Sequence, residues 1–142
     1  MISRRVLVDS GPLVAVFLSR DTHHRRCVEQ LQELSPPLFT CWPVVTEVAW
    51  LLRSHPPAVE RFLSGFESGL LRLFELDDQA FPWIRSFLAR YRRLGPQVAD
   101  AALVYLAERE NLDTVFTLDV RDFSIYRLKG NRALRLLPSR EL

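Results

Sequence analysis

Lysine is almost absent from this chain. Eighteen of its 142 residues are arginine and one, Lys129, is lysine, so nearly all the positive charge sits on planar guanidinium groups. Guanidinium forks suit phosphates and are compatible with a polyanionic partner, though genome base composition produces the same bias. The acids bring the formal net charge to only +2, too little to mark a nucleic-acid binder by bulk electrostatics. Cysteine is scarce too. Cys27 and Cys41 have no metal-type spacing and read as buried small hydrophobes. No apolar run approaches the ~18 residues needed to cross a bilayer, so the expectation is no membrane partner. The start, Met1-Ile2-Ser3-Arg4-Arg5, lacks a signal-peptide pattern, which gives a cytoplasmic expectation. There is no Gly-rich phosphate loop of the Walker or dinucleotide type, which argues against an NTPase or a dehydrogenase. No Gly-x-Ser-x-Gly elbow occurs, and neither cysteine lies in a nucleophile motif. Chemistry by acids is what remains.

The length fits one domain, 1–142, able to bury roughly two thirds of its unfolded surface. Hydrophobic residues at 48% and charged residues at 25% exclude disorder as the default. No internal repeat, low-complexity tract or linker divides the chain. Its organising stretch is Arg5-Val6-Leu7-Val8-Asp9-Ser10-Gly11-Pro12, an aliphatic run that ends in a carboxylate and a helix-opening turn. This predicts a buried parallel strand with Asp9 at its carboxyl end, the edge that faces the ligand crevice in open α/β sheets. A helix-capping role for Asp9 is equally consistent with the stretch.

Further along, helices are predicted over Pro12–Leu18, Asp21–Leu34, Pro43–Arg53, Pro57–Glu67 and Gln97–Glu110. A sixth helix follows Asp77-Asp78, which would cap it, with Phe81, Ile84, Phe87, Leu88 and Tyr91 facing inward and Arg85, Arg92 and Arg93 solvated. His23 and His24 are neighbours, about 100° apart on a helix, and read as surface residues rather than a metal pair. Strands are expected at Leu38–Trp42, Leu70–Leu76, Thr114–Asp119 and Ala133–Leu137. Two acids break the apolar stripes: Glu47 among Val44, Val48, Leu51 and Leu52, and Asp100 among Leu103, Val104 and Ala107, each four residues after a proline. Thr114-Val115-Phe116-Thr117-Leu118-Asp119 repeats the Asp9 arrangement, and Asp122-Phe123 follows in a loop.

Alternating strands and helices predict an α/β fold with a mainly parallel central sheet of about five strands and helices on both faces. If their strands are adjacent, Asp9 and Asp119 share one edge, and Glu47 and Asp100 can join them. Four carboxylates in one crevice repel and raise one another's pKa values. Mg²⁺ or Mn²⁺, hard ions that prefer carboxylate oxygens, would resolve that conflict and could orient water for attack on a phosphodiester.

Val8-Asp9-Ser10-Gly11-Pro12-Leu13, Thr46-Glu47-Val48, Val98-Ala99-Asp100-Ala101-Ala102-Leu103 and Thr117-Leu118-Asp119-Val120-Arg121-Asp122-Phe123 together resemble the PIN domain. Within that family they look most like the VapC-type toxins of type II toxin–antitoxin pairs. The resemblance implies a three-layer sandwich and a metal-dependent ribonuclease in which Asp9, Glu47, Asp100 and Asp119 correspond to the acidic quartet. Asp122 matches a further acid often found after the fourth, and Ser10 and Thr117 match the small hydroxylated neighbours. It further implies Mg²⁺ or Mn²⁺, an RNA substrate (tRNA, rRNA or mRNA), a small antitoxin protein and a homodimer. Arg121, Arg127, Lys129 and Arg132 flank the last acid in sequence and are candidates to contact RNA phosphates. Two other readings stand beside this one. The chain could be a PIN-fold binding module without catalysis, or a receiver-like signalling domain, although the latter usually carries adjacent acids after its first strand.

Overall fold

Leu7 and Val8 are buried on the two faces of strand β1 (Ser3–Val8), as expected of a strand at the middle of a covered parallel sheet. The computed structural model describes residues 3–139. Met1 and Ile2 of the expected leaderless start, and the last three residues of the expected 1–142 domain, lie outside the described residues. In chain order β1 is followed by α1 (Ser10–Phe17), α2 (His24–Gln32), β2 (Leu38–Thr40), α3 (Trp42–Leu51), α4 (Pro56–Ser68), β3 (Leu71–Leu73) and α5 (Ala80–Arg90). A single 3₁₀ turn, Arg92–Leu94, leads to α6 (Val98–Arg109), β4 (Leu112–Phe116) and α7 (Val120–Phe123). Three short strands close the described chain: β5 (Arg127–Leu128), β6 (Arg132–Ala133) and β7 (Arg135–Leu137).

The sheet order is β3-β2-β1-β4-β7 and every neighbouring pair is parallel. The first two crossovers walk outward from β1 to β3, and the third returns past β1 to β4. Right-handed crossovers therefore put α1–α4 on one face and α5–α6 on the other. The strand order reverses between β1 and β4, and the crevice beyond their carboxyl ends is where such sheets bind ligands. Val8 is in register with Phe116, so Asp9 and Thr117 are the next residues out on each strand.

Among the described helices α6 buries the largest share of its residues. Ala101, Ala102, Leu103, Val104, Leu106 and Ala107 are all inaccessible, which explains its nearly all-round apolar sequence. Leu13 and Ala15 of α1 are buried in the protein's own core, and both cysteines are buried as expected.

Several boundaries and one face differ from the sequence expectation. The inward stripe of α5 is Ala80, Ile84, Phe87 and Tyr91, so Phe81 falls one step round the helix and is 68% exposed, contrary to its predicted inward position. Asp77 caps the turn before α5 by accepting from the Gln79 amide, and no side chain caps the helix itself. The expected strand Ala133–Leu137 is divided between β6 and β7. Arg127–Leu128 pairs antiparallel with Arg132–Ala133 in a hairpin that was not anticipated. Its turn holds Gly130 at φ 78° and Asn131 at φ 63°, the left-handed region that these two residue types tolerate best.

Candidate active site

Beyond the ends of β1 and β4 lies a cleft of about 530 Å³. Asp9, Glu47, Asp100, Asp119 and Asp122 all line it, together with Ser10, Gly11, Leu51, Gly95, Gln97 and Leu118. The four acids expected to converge do so, and the fifth, Asp122, joins them.

Asp9 is both the capping residue and the candidate ligand that its stretch allowed. It stands at the N-cap of α1, only 6% exposed. Its Oδ1 accepts from the Ser10 amide at 2.8 Å and its Oδ2 accepts from the Thr117 hydroxyl at 2.8 Å. Thr117 Oγ1 in turn accepts from the Asp119 amide at 3.0 Å. Burial pushes the Asp9 carboxyl up to about 7, and the charges of Asp100 and Glu47 add to the rise against the pull of the two hydrogen bonds.

Asp100 is the third residue of α6. Its Oδ2 accepts from the Gln97 amide at 3.3 Å, half of a reciprocal capping box, and from the Tyr126 hydroxyl at 3.4 Å. Burial raises its carboxyl to about 6, and the charges of Asp119 and Glu47 raise it further against the Gln97 bond. Asp119 caps α7, its Oδ1 accepting from the Asp122 amide at 3.2 Å. Glu47 is the sixth residue of α3, so its shared four-residue offset with Asp100 from a proline does not give the two acids equivalent helix positions. Asp9, Asp100, Asp119 and Asp122 stand at the N-terminal ends of three helices, where unpaired amides favour negative charge.

The donor set is all oxygen, and the neighbouring acids help to raise the Asp9 and Asp100 carboxyls, a conflict that a divalent cation relieves. Among the described residues no three His, Cys, Asp or Glu side chains stand close enough together to hold a metal ion as they are placed. The acids offer oxygen donors only, the ligand type that Mg²⁺ and Mn²⁺ prefer. The side-chain and amide donors on Asp9, Asp100 and Asp119 are the kind of outer contacts that orient carboxylate ligands. The buried cysteines take no part: burial pushes the Cys27 thiol up to about 11 and the Cys41 thiol up to about 12, leaving both protonated.

The basic residues expected near the site divide. Arg121 on α7 is exposed beside Asp122, at 4.0 Å from its carboxylate. Arg127 folds its guanidinium back onto the carbonyl oxygens of Ser124, Ile125 and Tyr126 at 2.6–3.1 Å. Arg127 and Lys129 line a different cleft, against α5 and α6, and Arg132 is exposed on the hairpin. Arg85, Arg92 and Arg93 are exposed, as expected. Tyr126 was not anticipated as a neighbour of the acids. It is fully buried among Phe87, Tyr91 and Phe123, and nothing local in the sequence marks its contact with Asp100 across 26 residues.

Comparison with known proteins bears on the fold and the family. Over 138 residues the chain is 27% identical to ribonuclease VapC26 of Mycobacterium tuberculosis, covering 94% of this chain and all of that protein. The crystal structure of M. tuberculosis VapC20, a sarcin-ricin loop cleaving toxin, superposes with a TM-score of 0.74 at 15% identity, covering 82% of this chain and 91% of that one. VapBC2 of Rickettsia felis, solved bound to a promoter DNA fragment, gives a TM-score of 0.63 at 15% identity, covering 96% and 98%. The family model for the PIN domain matches residues 6–129, a span that holds all five acids of the cleft, and the chain therefore belongs to the PIN domain family.

Proposed function

We propose that this chain is a metal-dependent endoribonuclease of the VapC type, the toxin of a toxin–antitoxin pair, acting as one domain in the cytoplasm. One observation carries the reading: a buried Asp9 and an Asp119, which follow the adjacent parallel strands β1 and β4, share a cleft with Glu47 and Asp100 at the switch point of the sheet. The ribonuclease name of a relative that spans almost the whole chain supports RNA as the substrate. Family membership supports the reaction class.

In this reading Asp9 and Asp119 are the principal ligands of Mg²⁺ or Mn²⁺, Asp100 binds the same or a second ion, and Glu47 is a ligand or orients a bound water. The bound ion supplies Lewis-acid polarisation of the phosphate and a water of lowered pKa. The protein's contribution is to hold the acids still. Ser10 and Thr117 fix both oxygens of Asp9, Thr117 also fixes the backbone at Asp119, and Gln97 and Tyr126 fix Asp100. Asp9, whose proton burial retains to near neutral pH, would hold the ion as the deprotonated carboxylate. A small antitoxin partner and a homodimer accompany the reading, and the toxin–antitoxin complex among the structural neighbours supports the former.

The test is cleavage of purified tRNA, rRNA and mRNA, followed on denaturing gels. Discrete fragments should appear with Mg²⁺ or Mn²⁺, disappear with a chelator and disappear in Asp9→Asn. Fragments that persist with chelator or in Asp9→Asn would contradict the assignment. No cleavage of any RNA under any ion would favour a PIN-fold binding module.

A further inference from the structure

None of the described residues lining the acidic cleft carries a positive charge, so any cationic side chain that helps to hold a polyanion on this face lies outside that lining. A second cleft, of about 680 Å³, lies between α5, α6 and the β5–β6 hairpin. Its walls carry Trp83 and Tyr105, whose rings meet edge to face at 5.4 Å, and three cations, Arg90, Arg127 and Lys129. The one carboxylate in its lining, Glu108, is already engaged by the Trp83 indole N–H at 2.9 Å and the Lys129 amide at 2.6 Å. Half-buried rings beside cations are what single-stranded nucleic acid uses: bases stack on the rings while phosphates meet the charges.

The two clefts are neighbours. Asp100 and Glu108 are eight residues apart on α6, about 12 Å along its axis, a distance that a few nucleotides cover. Between them stand Tyr91 and Tyr126, with ring centres 5.0 Å apart. Tyr126 donates to Asp100 on one side, and Tyr91 accepts from the Arg127 amide on the other. We propose that the Trp83–Arg90–Lys129 cleft is a binding subsite for single-stranded RNA that flanks the bond positioned over the acids. The inference rests on the ribonuclease reading above and adds to it a place where the substrate is held.

Two measurements test it. In Asp9→Asn, which holds RNA uncut, Trp42→Phe and Trp50→Phe leave Trp83 as the only indole, since the other two tryptophans are exposed on α3. A short unstructured oligoribonucleotide of adenosine and uridine should quench Trp83 on titration. In that background Arg90→Glu with Lys129→Glu should weaken binding about tenfold or more and lower the slope of log Kd against log salt by about 1.4, at ~0.7 per lost phosphate contact. In the otherwise wild-type enzyme the same pair should raise KM while leaving kcat within about twofold. Unchanged melting temperature will show that the variants fold. If the wild type cleaves RNA but Trp83 is not quenched and KM and salt slope are unmoved, the subsite is wrong while the ribonuclease reading stands. If the wild type neither binds nor cleaves RNA, both fall. Loss of binding to a protein partner, with RNA binding intact, would assign the cleft to a peptide and overturn the proposal.

Discussion

The Thr117 hydroxyl donates to Asp9 Oδ2 at 2.8 Å and accepts from the Asp119 amide at 3.0 Å, so one side chain ties the acid after β1 to the acid after β4. The tie follows from the parallel register that brings Val8 opposite Phe116. Thr117→Val keeps the shape of the side chain but removes both bonds, leaving a buried carboxylate oxygen and an amide short of a partner. A stability loss on the order of 1–3 kcal/mol is expected, with ribonuclease kcat falling about tenfold or more. Thr117→Ser should recover most of both. Denaturant melts and single-turnover cleavage read the two effects separately, and full activity in the valine variant would show that the tie has no role.

The pH dependence of stability has a definite sign. Native Asp9 holds its proton to about pH 7 and native Asp100 to about pH 6, whereas unfolded aspartates ionise near 3.9. Between about pH 4 and pH 7 the folded state therefore binds more protons than the unfolded one, and unfolding free energy falls as pH rises through that window. The stability these groups contribute is complete below pH 4 and gone above pH 7, a change on the order of a few kcal/mol dominated by Asp9. Metal-free protein should melt lower at pH 8 than at pH 5. Asp9→Asn should flatten the profile and raise the pH 8 melting temperature, and an unaltered profile in that variant would contradict the assignment.

Much of this site is legible along the chain because its acids interrupt strong local patterns. Asp9 follows directly on an apolar strand, Asp119 closes an apolar run that continues past the end of β4, and Glu47 and Asp100 each break a helical stripe. Thr117 is harder to read, since its partner Asp9 is 108 residues away and only the pairing of β1 with β4 brings them together. Strands β5 and β6 are two residues each, too short for an alternating pattern, so the hairpin and the second cleft it helps to form leave no periodic signal. Phe81 misleads for the opposite reason. It fits an apolar spacing with Ile84 and Leu88, but Ala80, at the true start of α5, sets the buried stripe one step away.

Gly11 keeps α1 close to the chain after β4. A Cβ at this position would stand 3.4 Å from Leu118 Cβ, at the edge of ordinary contact. Gly11→Ala should therefore be tolerated, with a melting temperature within a few degrees of wild type. Gly11→Leu should wedge α1 from Leu118, lower kcat more than the alanine variant does and cost about 1–3 kcal/mol. Equal behaviour of the two variants in cleavage assays would show that this approach does not shape the cleft.

Asp9, Glu47, Asp100 and Asp119 are proposed to share one divalent cation. The most direct test is a thermal melt of purified protein across a Mn²⁺ titration, beside Asp9→Asn and Asp100→Asn. A ligand held only by the folded state, at ~100 times its Kd, adds about 2.7 kcal/mol, or roughly 5–10 °C for a domain of this size. That rise is expected in the wild type, with both variants melting higher than wild type at neutral pH without metal and losing the response to it. A wild type unmoved by Mn²⁺, or variants that respond as the wild type does, would contradict the shared site.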